Sequence, residues 1–157
     1  MTRLVLILAA FAAGTALADG PKPARLAPDD IAQLASSGPG TGTSGVAGIR
    51  SVVLSGDPAA AGLYTIRVIV PPHTTIRAHT HRDARSATVI AGRWYFGYGD
   101  KAGADARALP PGSFYTEPAN APHYAQTRDE GATVDITGYG PSDTVYVEAG
   151  NDPRDAK

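Results

Sequence analysis

The chain has 157 residues, 43% of them hydrophobic and 18% charged, with a formal net charge of −1, a size and texture that suit one domain with its own core. Its 14 Lys and Arg residues are scattered rather than clustered, which argues against a nucleic-acid surface. There is no cysteine, so disulfides, thiol nucleophiles and Cys-ligated zinc are excluded and any metal must be held by His, Asp, Glu or water.

Residues 1–18 read as an export signal: Arg3, an apolar run from Leu4 to Ala13, and the small-x-small sequence Ala16-Leu17-Ala18. The run is too short to span a bilayer comfortably. The mature chain is therefore expected to begin at Asp19, to be periplasmic or secreted, and to have no membrane partner. Loss of Arg3 would leave 13 basic and 15 acidic residues, a net charge of −2. Residues 19–45 read as a flexible lead-in with a short helix in "PDDIAQLASSG", capped by Asp29 or Asp30 and stopped by Gly38. "GPGTGTSGVAG", residues 38–48, holds five glycines in eleven residues and reads as a linker.

Residues 46–150 change to short β-type runs separated by turn signals. "IRSVVLSG" and "LYTIRVIV" are rich in β-branched residues, and Pro71-Pro72 ends the second. "SATVIAG" and "RWYFGYGD" are separated by little more than Gly92, which predicts a tight hairpin. "GSFYTEP", "HYAQT", "ATVDITGYG" and "TVYVEAG" follow, and residues 151–157 form a polar tail. Eight or nine short strands without helical periodicity predict an all-β sandwich or small barrel after one short N-terminal helix.

His79 and His81 lie two residues apart, a spacing that puts both imidazoles on one face of a strand and within reach of one ion. The surrounding pattern resembles the cupin superfamily, whose first motif runs G-x5-H-x-H-x3–4-E-x6-G. His79, His81 and Gly92 occupy three of its positions; Arg85 stands at the glutamate and His73 at the opening glycine. The second motif, G-x5-P-x-G-x2-H-x3-N, falls on Gly112, Pro118, Asn120 in place of glycine, His123, and Thr127 in place of asparagine. The likeness spans residues 62–148 and is strongest to exported, single-domain bacterial cupins. It implies a cupin-type small β-barrel, a jelly roll also described as a double-stranded β-helix. It also implies His79, His81 and His123 as ligands of a divalent metal ion (Fe, Zn, Mn, Ni or Cu). Asn120 can replace a glycine because asparagine tolerates the left-handed conformation.

Arg85 cannot ligate a metal, since a guanidinium has donors only. Three arrangements are compatible with it. The arginine swings outward and leaves an open three-histidine site, which is the favoured expectation. A nearby carboxylate substitutes, Asp83 before Glu117, because an acid beside a strand-ending proline is usually solvated. Or the metal is weakened or lost, and Arg85 binds an anionic substrate by a bidentate fork. Strand alternation adds Arg77, Tyr95, Tyr115 and Trp94 as pocket-lining candidates, and Asp135 as an acceptor that orients a histidine. His73 is expected on a surface turn.

Two functions fit. One is a metal-dependent enzyme of oxygenase or isomerase type acting on a small molecule. The other is a non-catalytic periplasmic ligand-binding or sensing domain whose metal is weak, structural or absent. Pairing into a homodimer through an edge strand near "RSVVLSG" is compatible with either.

Overall fold

The computed structural model describes residues 22–155 apart from 102 and 104, so the expected export signal lies outside the described residues. Among the described residues, one short α-helix, α1 (Pro28–Gln33), is followed by eleven strands and a closing 3-10 turn at Ala149–Asn151: β1 (Ser36–Ser37), β2 (Arg50–Ser55), β3 (Gly62–Val70), β4 (Thr75–Thr80), β5 (Arg85–Gly92), β6 (Trp94–Tyr98), β7 (Arg107–Leu109), β8 (Phe114–Glu117), β9 (His123–Gln126), β10 (Ala132–Gly140) and β11 (Val145–Tyr146). In α1, Pro28 opens the first turn and the Asp30 carboxylate reaches back 2.8 Å to accept the N–H of Ala27. Asp30 thus acts from inside the helix rather than as its cap, and the helix ends at Gln33, ahead of Gly38.

Two antiparallel sheets form, in the orders β1-β2-β3-β10-β5-β8 and β11-β4-β9-β6-β7. Their pairing is nested. The neighbours β6 and β7 form the inner pair, and β5–β8, β4–β9 and β3–β10 are laid successively outside it. From β3 onward the chain changes sheet at every connection except β6–β7. A hairpin ribbon wrapped in this way around a barrel is the jelly-roll arrangement. Gly92 therefore does not close a β5–β6 hairpin. It sits at a corner where the chain leaves one sheet for the other, with φ +71°, and a Cβ there would collide with the carbonyl of Gly131.

Alternation in the long strands decides what faces the core. Tyr64, Ile66, Val68 and Val70 of β3 and Val134 and Ile136 of β10 point inward, against Ile76 of β4 and Trp94 and Phe96 of β6. The outward residues of the same strands pair across the register: Thr65 with Thr137 at 2.9 Å, and Arg67 with Asp135 at 2.7 and 2.8 Å. Asp135 thus faces away from the barrel and orients no histidine. β1 pairs with β2 at Ser51 and Val52, which covers part of the edge expected for pairing with a second copy. No helix among the described residues is long and apolar enough to cross a membrane.

Residues 42–44, inside the stretch read from composition as linker, are packed against the barrel. Thr43 and Ser44 are buried, their carbonyls accepting hydrogen bonds from the hydroxyls of Thr144 (2.8 Å) and Tyr146 (2.7 Å). The tail also folds back, Arg154 donating to the carbonyl of Thr144 at 2.8 Å.

Candidate metal centre

His79 lies near the end of β4, His81 just beyond it, and His123 opens β9, where it is the direct cross-strand partner of His79. All three are buried. Asn120 helps to set this end of the barrel: it takes φ +59° and donates its N–H to the carbonyl of His81 at 2.7 Å. Thr127, at the family's asparagine position, is buried and ties the turn below by donating to Pro71 and accepting from the N–H of Thr74.

Each imidazole is held by a backbone carbonyl. The Nδ1–H of His79 donates to Arg77 at 2.7 Å, that of His123 to Ala121 at 3.0 Å, and that of His81 to Asp143. A carbonyl only accepts, so Nδ1 carries the proton and Nε2 carries the lone pair in all three rings. The ring nitrogens able to serve as ligands lie within 4.8 Å of one another. Nε2 of His81 and of His123 is buried with no hydrogen-bond partner. Burial pushes the His79 imidazole down to about 3, with His123 and then Arg85 adding to the effect. Burial likewise lowers His81 and His123. The rings are thus neutral and lone-pair-bearing, the form in which histidine ligates a metal.

Arg85 does not swing outward. It is buried, its Nε 2.5 Å from Oε2 of Glu117, its second fork nitrogen on the same oxygen, and its remaining nitrogen donating to the carbonyl of Gly42 at 3.0 Å. Glu117 is buried too, and it is the direct cross-strand partner of Arg85 on β8. Its Oε2 stands 3.8 Å from Nε2 of His81 and 3.6 Å from Nε2 of His123. Glu117 is the main site residue that sequence reasoning placed elsewhere. The signal was present, because Tyr115 and Glu117 are two apart on one strand and must share a face.

Asp83, the favoured substitute ligand, is buried but turned away. Its two oxygens accept from the hydroxyls of Tyr64 (2.7 Å) and Ser142 (2.8 Å), and it is not part of the histidine cluster. It pairs with neither Arg82, which is bound to Asp143, nor Arg85. Arg77 is exposed, because a bulge between Ile76 and His79 breaks the parity that would have turned it inward. Tyr95 faces outward, its ring 4.1 Å below the guanidinium of Arg128, while Trp94 and Tyr115 line the cavity and bond to each other at 3.2 Å. Burial, then the Glu117 charge, raises the Tyr115 phenol well above its ordinary range, so it stays neutral. His73 lies on an exposed turn with φ +55°.

The cavity beside the histidines is small, about 40 Å³, and its lining includes His79, His123, Arg85, Glu117, Phe96 and Tyr115, with Gly42–Ser44 as a roof. A water needs roughly 10–15 Å³ of such space, so about three or four water-sized groups fit.

No protein-family model matches the sequence, and no curated protein matches it. Among solved structures, a cupin-superfamily sugar phosphate isomerase from Silicibacter pomeroyi matches with TM-score 0.56 at 18% identity, over 74% of this chain and 79% of that one. An RmlC-like cupin from Shewanella frigidimarina matches with TM-score 0.53 at 17% identity, over 69% and 85%. A DMSP lyase from Ruegeria pomeroyi matches with TM-score 0.50 at 22% identity, over 59% of this chain and 47% of the lyase. This chain spans about half the length of the DMSP lyases it matches.

Proposed function

We propose that this chain, a cupin by its fold, is an exported protein in which His79, His81 and His123 hold one divalent transition-metal ion that binds a small polar molecule. The observation that supports this most is the pair of buried Nε2 lone pairs, on His81 and His123, that have no partner. Leaving a buried acceptor unpaired costs about 1–3 kcal/mol, and here the Nδ1 bonds prevent the rings from turning to relieve it. A cation accepted by all three rings removes the cost. Imidazole donors suit Fe, Zn, Mn, Ni or Cu.

Such an ion supplies Lewis acidity, or an activated water, to whatever reaches it. The chain's own residues do the rest. The carbonyls of Arg77, Ala121 and Asp143 orient the rings. Phe96 and Tyr115, with ring centroids 4.2 Å apart, exclude bulk water. The cavity of about 40 Å³ is far below the ~300 Å³ at which ordinary ligand pockets begin. A substrate as large as that of the sugar phosphate isomerase would therefore present only an end group to the ion. This favours oxygenase- or isomerase-type chemistry on a small molecule or a small terminal group. The same tightness supports the second reading, a periplasmic sensing domain whose metal is structural.

The test is metal content. The mature chain, incubated in turn with iron, zinc, manganese, nickel and copper and then desalted, is expected to retain one ion per chain. His81→Ala should retain none. A wild-type chain that retains no ion from any of the five contradicts the proposal.

A further inference from the structure

We propose that Glu117 is the fourth ligand of the ion and that Arg85 is the buried counter-cation that positions this carboxylate and moderates its hold on the metal. This rests on the three-histidine reading above. It assigns a carboxylate from β8 to a place for which the sequence offers an arginine on β5. The two residues are direct partners in the β5–β8 register, and both side chains are buried inside the barrel. The pair therefore has its charges exchanged between adjacent strands, and the carboxylate still arrives at the histidines.

Beyond its contacts with Arg85, the Glu117 carboxylate is set against two imidazole lone pairs. Oε2 of Glu117 is 3.8 Å from Nε2 of His81 and 3.6 Å from Nε2 of His123. Both separations are beyond hydrogen-bond reach. With Nδ1 protonated, each Nε2 is an acceptor facing another acceptor, with no hydrogen between them. A metal ion resolves the conflict: with bonds of roughly 2.0–2.1 Å, two ligand atoms on a tetrahedral ion stand about 3.4 Å apart. Glu117 stands outside the cluster of ring nitrogens that lie within 4.8 Å of one another, so its side chain must move further into the site to share an ion with His79 as well.

Arg85 then acts through Glu117 and not on the ion. Both guanidinium contacts fall on Oε2, the oxygen that faces the histidines. The arginine thereby orients that oxygen while neutralising part of the charge it offers the metal. It is a positioning residue, and its removal should tighten binding.

The test uses Co2+ as the probe, with affinity from calorimetry and ligand geometry from its visible absorption. Four chains are compared: wild type, Arg85→Met, Glu117→Gln and the double variant carrying both changes. Arg85→Met is expected to bind Co2+ about 10-fold or more tightly than wild type, and Glu117→Gln about 10- to 100-fold more weakly. Because Glu117→Gln leaves Arg85 buried without its partner and risks misfolding, the decisive pair is Arg85→Met against the double variant. The double variant has neither charge, should fold, and is expected to bind at least about 10-fold more weakly than Arg85→Met, with an altered absorption band. Equal affinity and identical spectra in that pair would overturn the fourth-ligand proposal while leaving the three-histidine site standing. No Co2+ binding by wild type or Arg85→Met would overturn both.

Discussion

Two arginine–carboxylate pairs in the same six-stranded sheet show how position decides what a motif does. Arg67 and Asp135 pair across β3 and β10; Arg85 and Glu117 pair across β5 and β8. Each is a direct register pair with a forked contact. The first lies on the outer face with side chains about one-fifth exposed (20% and 21%), where water and salt share its field. The second lies on the inner face, 3% and 4% exposed, and its carboxylate oxygen stands 3.8 and 3.6 Å from two imidazole nitrogens that have no hydrogen-bond partner. One face turns the pair into a strand fastener, and the other sets it beside the three-histidine cluster.

The largest difference should appear when each pair is broken. In metal-free protein, Glu117→Ala leaves the Arg85 charge buried and alone, and is expected to lower unfolding free energy by about 3–5 kcal/mol in urea titration. A loss below 1 kcal/mol would mean that water reaches Arg85. Acidification separates the two faces next. The His79 imidazole titrates near 3 when folded and near 6.5 when unfolded, so the unfolded chain takes up the proton first. Its contribution is present above pH ~6.5 and is lost as pH falls toward 3, at about 1.4 kcal/mol per pH unit. Metal-free wild type should therefore melt at progressively lower temperature below pH 6.5, and His79→Gln should show a shallower decline. Parallel declines would place His79 in contact with water.

Metal addition gives a smaller expected effect. Zinc at about 100 times its dissociation constant should stabilise wild type by about 2.7 kcal/mol and leave His123→Ala unmoved. An equal shift in both would locate the ion elsewhere. The smallest effect belongs to the outer pair. Asp135→Ala should cost about 1 kcal/mol or less, with the zinc shift intact. A zinc shift lost with Asp135 would break the comparison between the two faces.

How much of this was legible in the sequence follows from the range of each signal. Strand texture and the two motif spacings are local, and they located the β-rich region, the left-handed Asn120 and the three histidines that the fold brings together. The β5–β6 connection has no distinguishing local signal, because a corner between sheets and a hairpin look alike over a few residues. Arg77 was misplaced by a single bulge, which inverts side-chain parity without marking the sequence. Glu117 carries two opposed local signals, since acids beside proline tend to be solvated while its parity with Tyr115 points inward. The roof at Gly42–Ser44 had no local signal at all, since its partners Arg85, Thr144 and Tyr146 are 43, 101 and 102 residues away.

The most direct measurement is the number of ions per chain, by mass spectrometry under native conditions, in wild type, His123→Ala and Asp135→Ala after incubation with zinc. One ion in wild type and Asp135→Ala, and none in His123→Ala, is the result predicted here. A wild-type chain carrying no ion, or a His123→Ala chain still carrying one, would contradict a metal centre built from these three histidines.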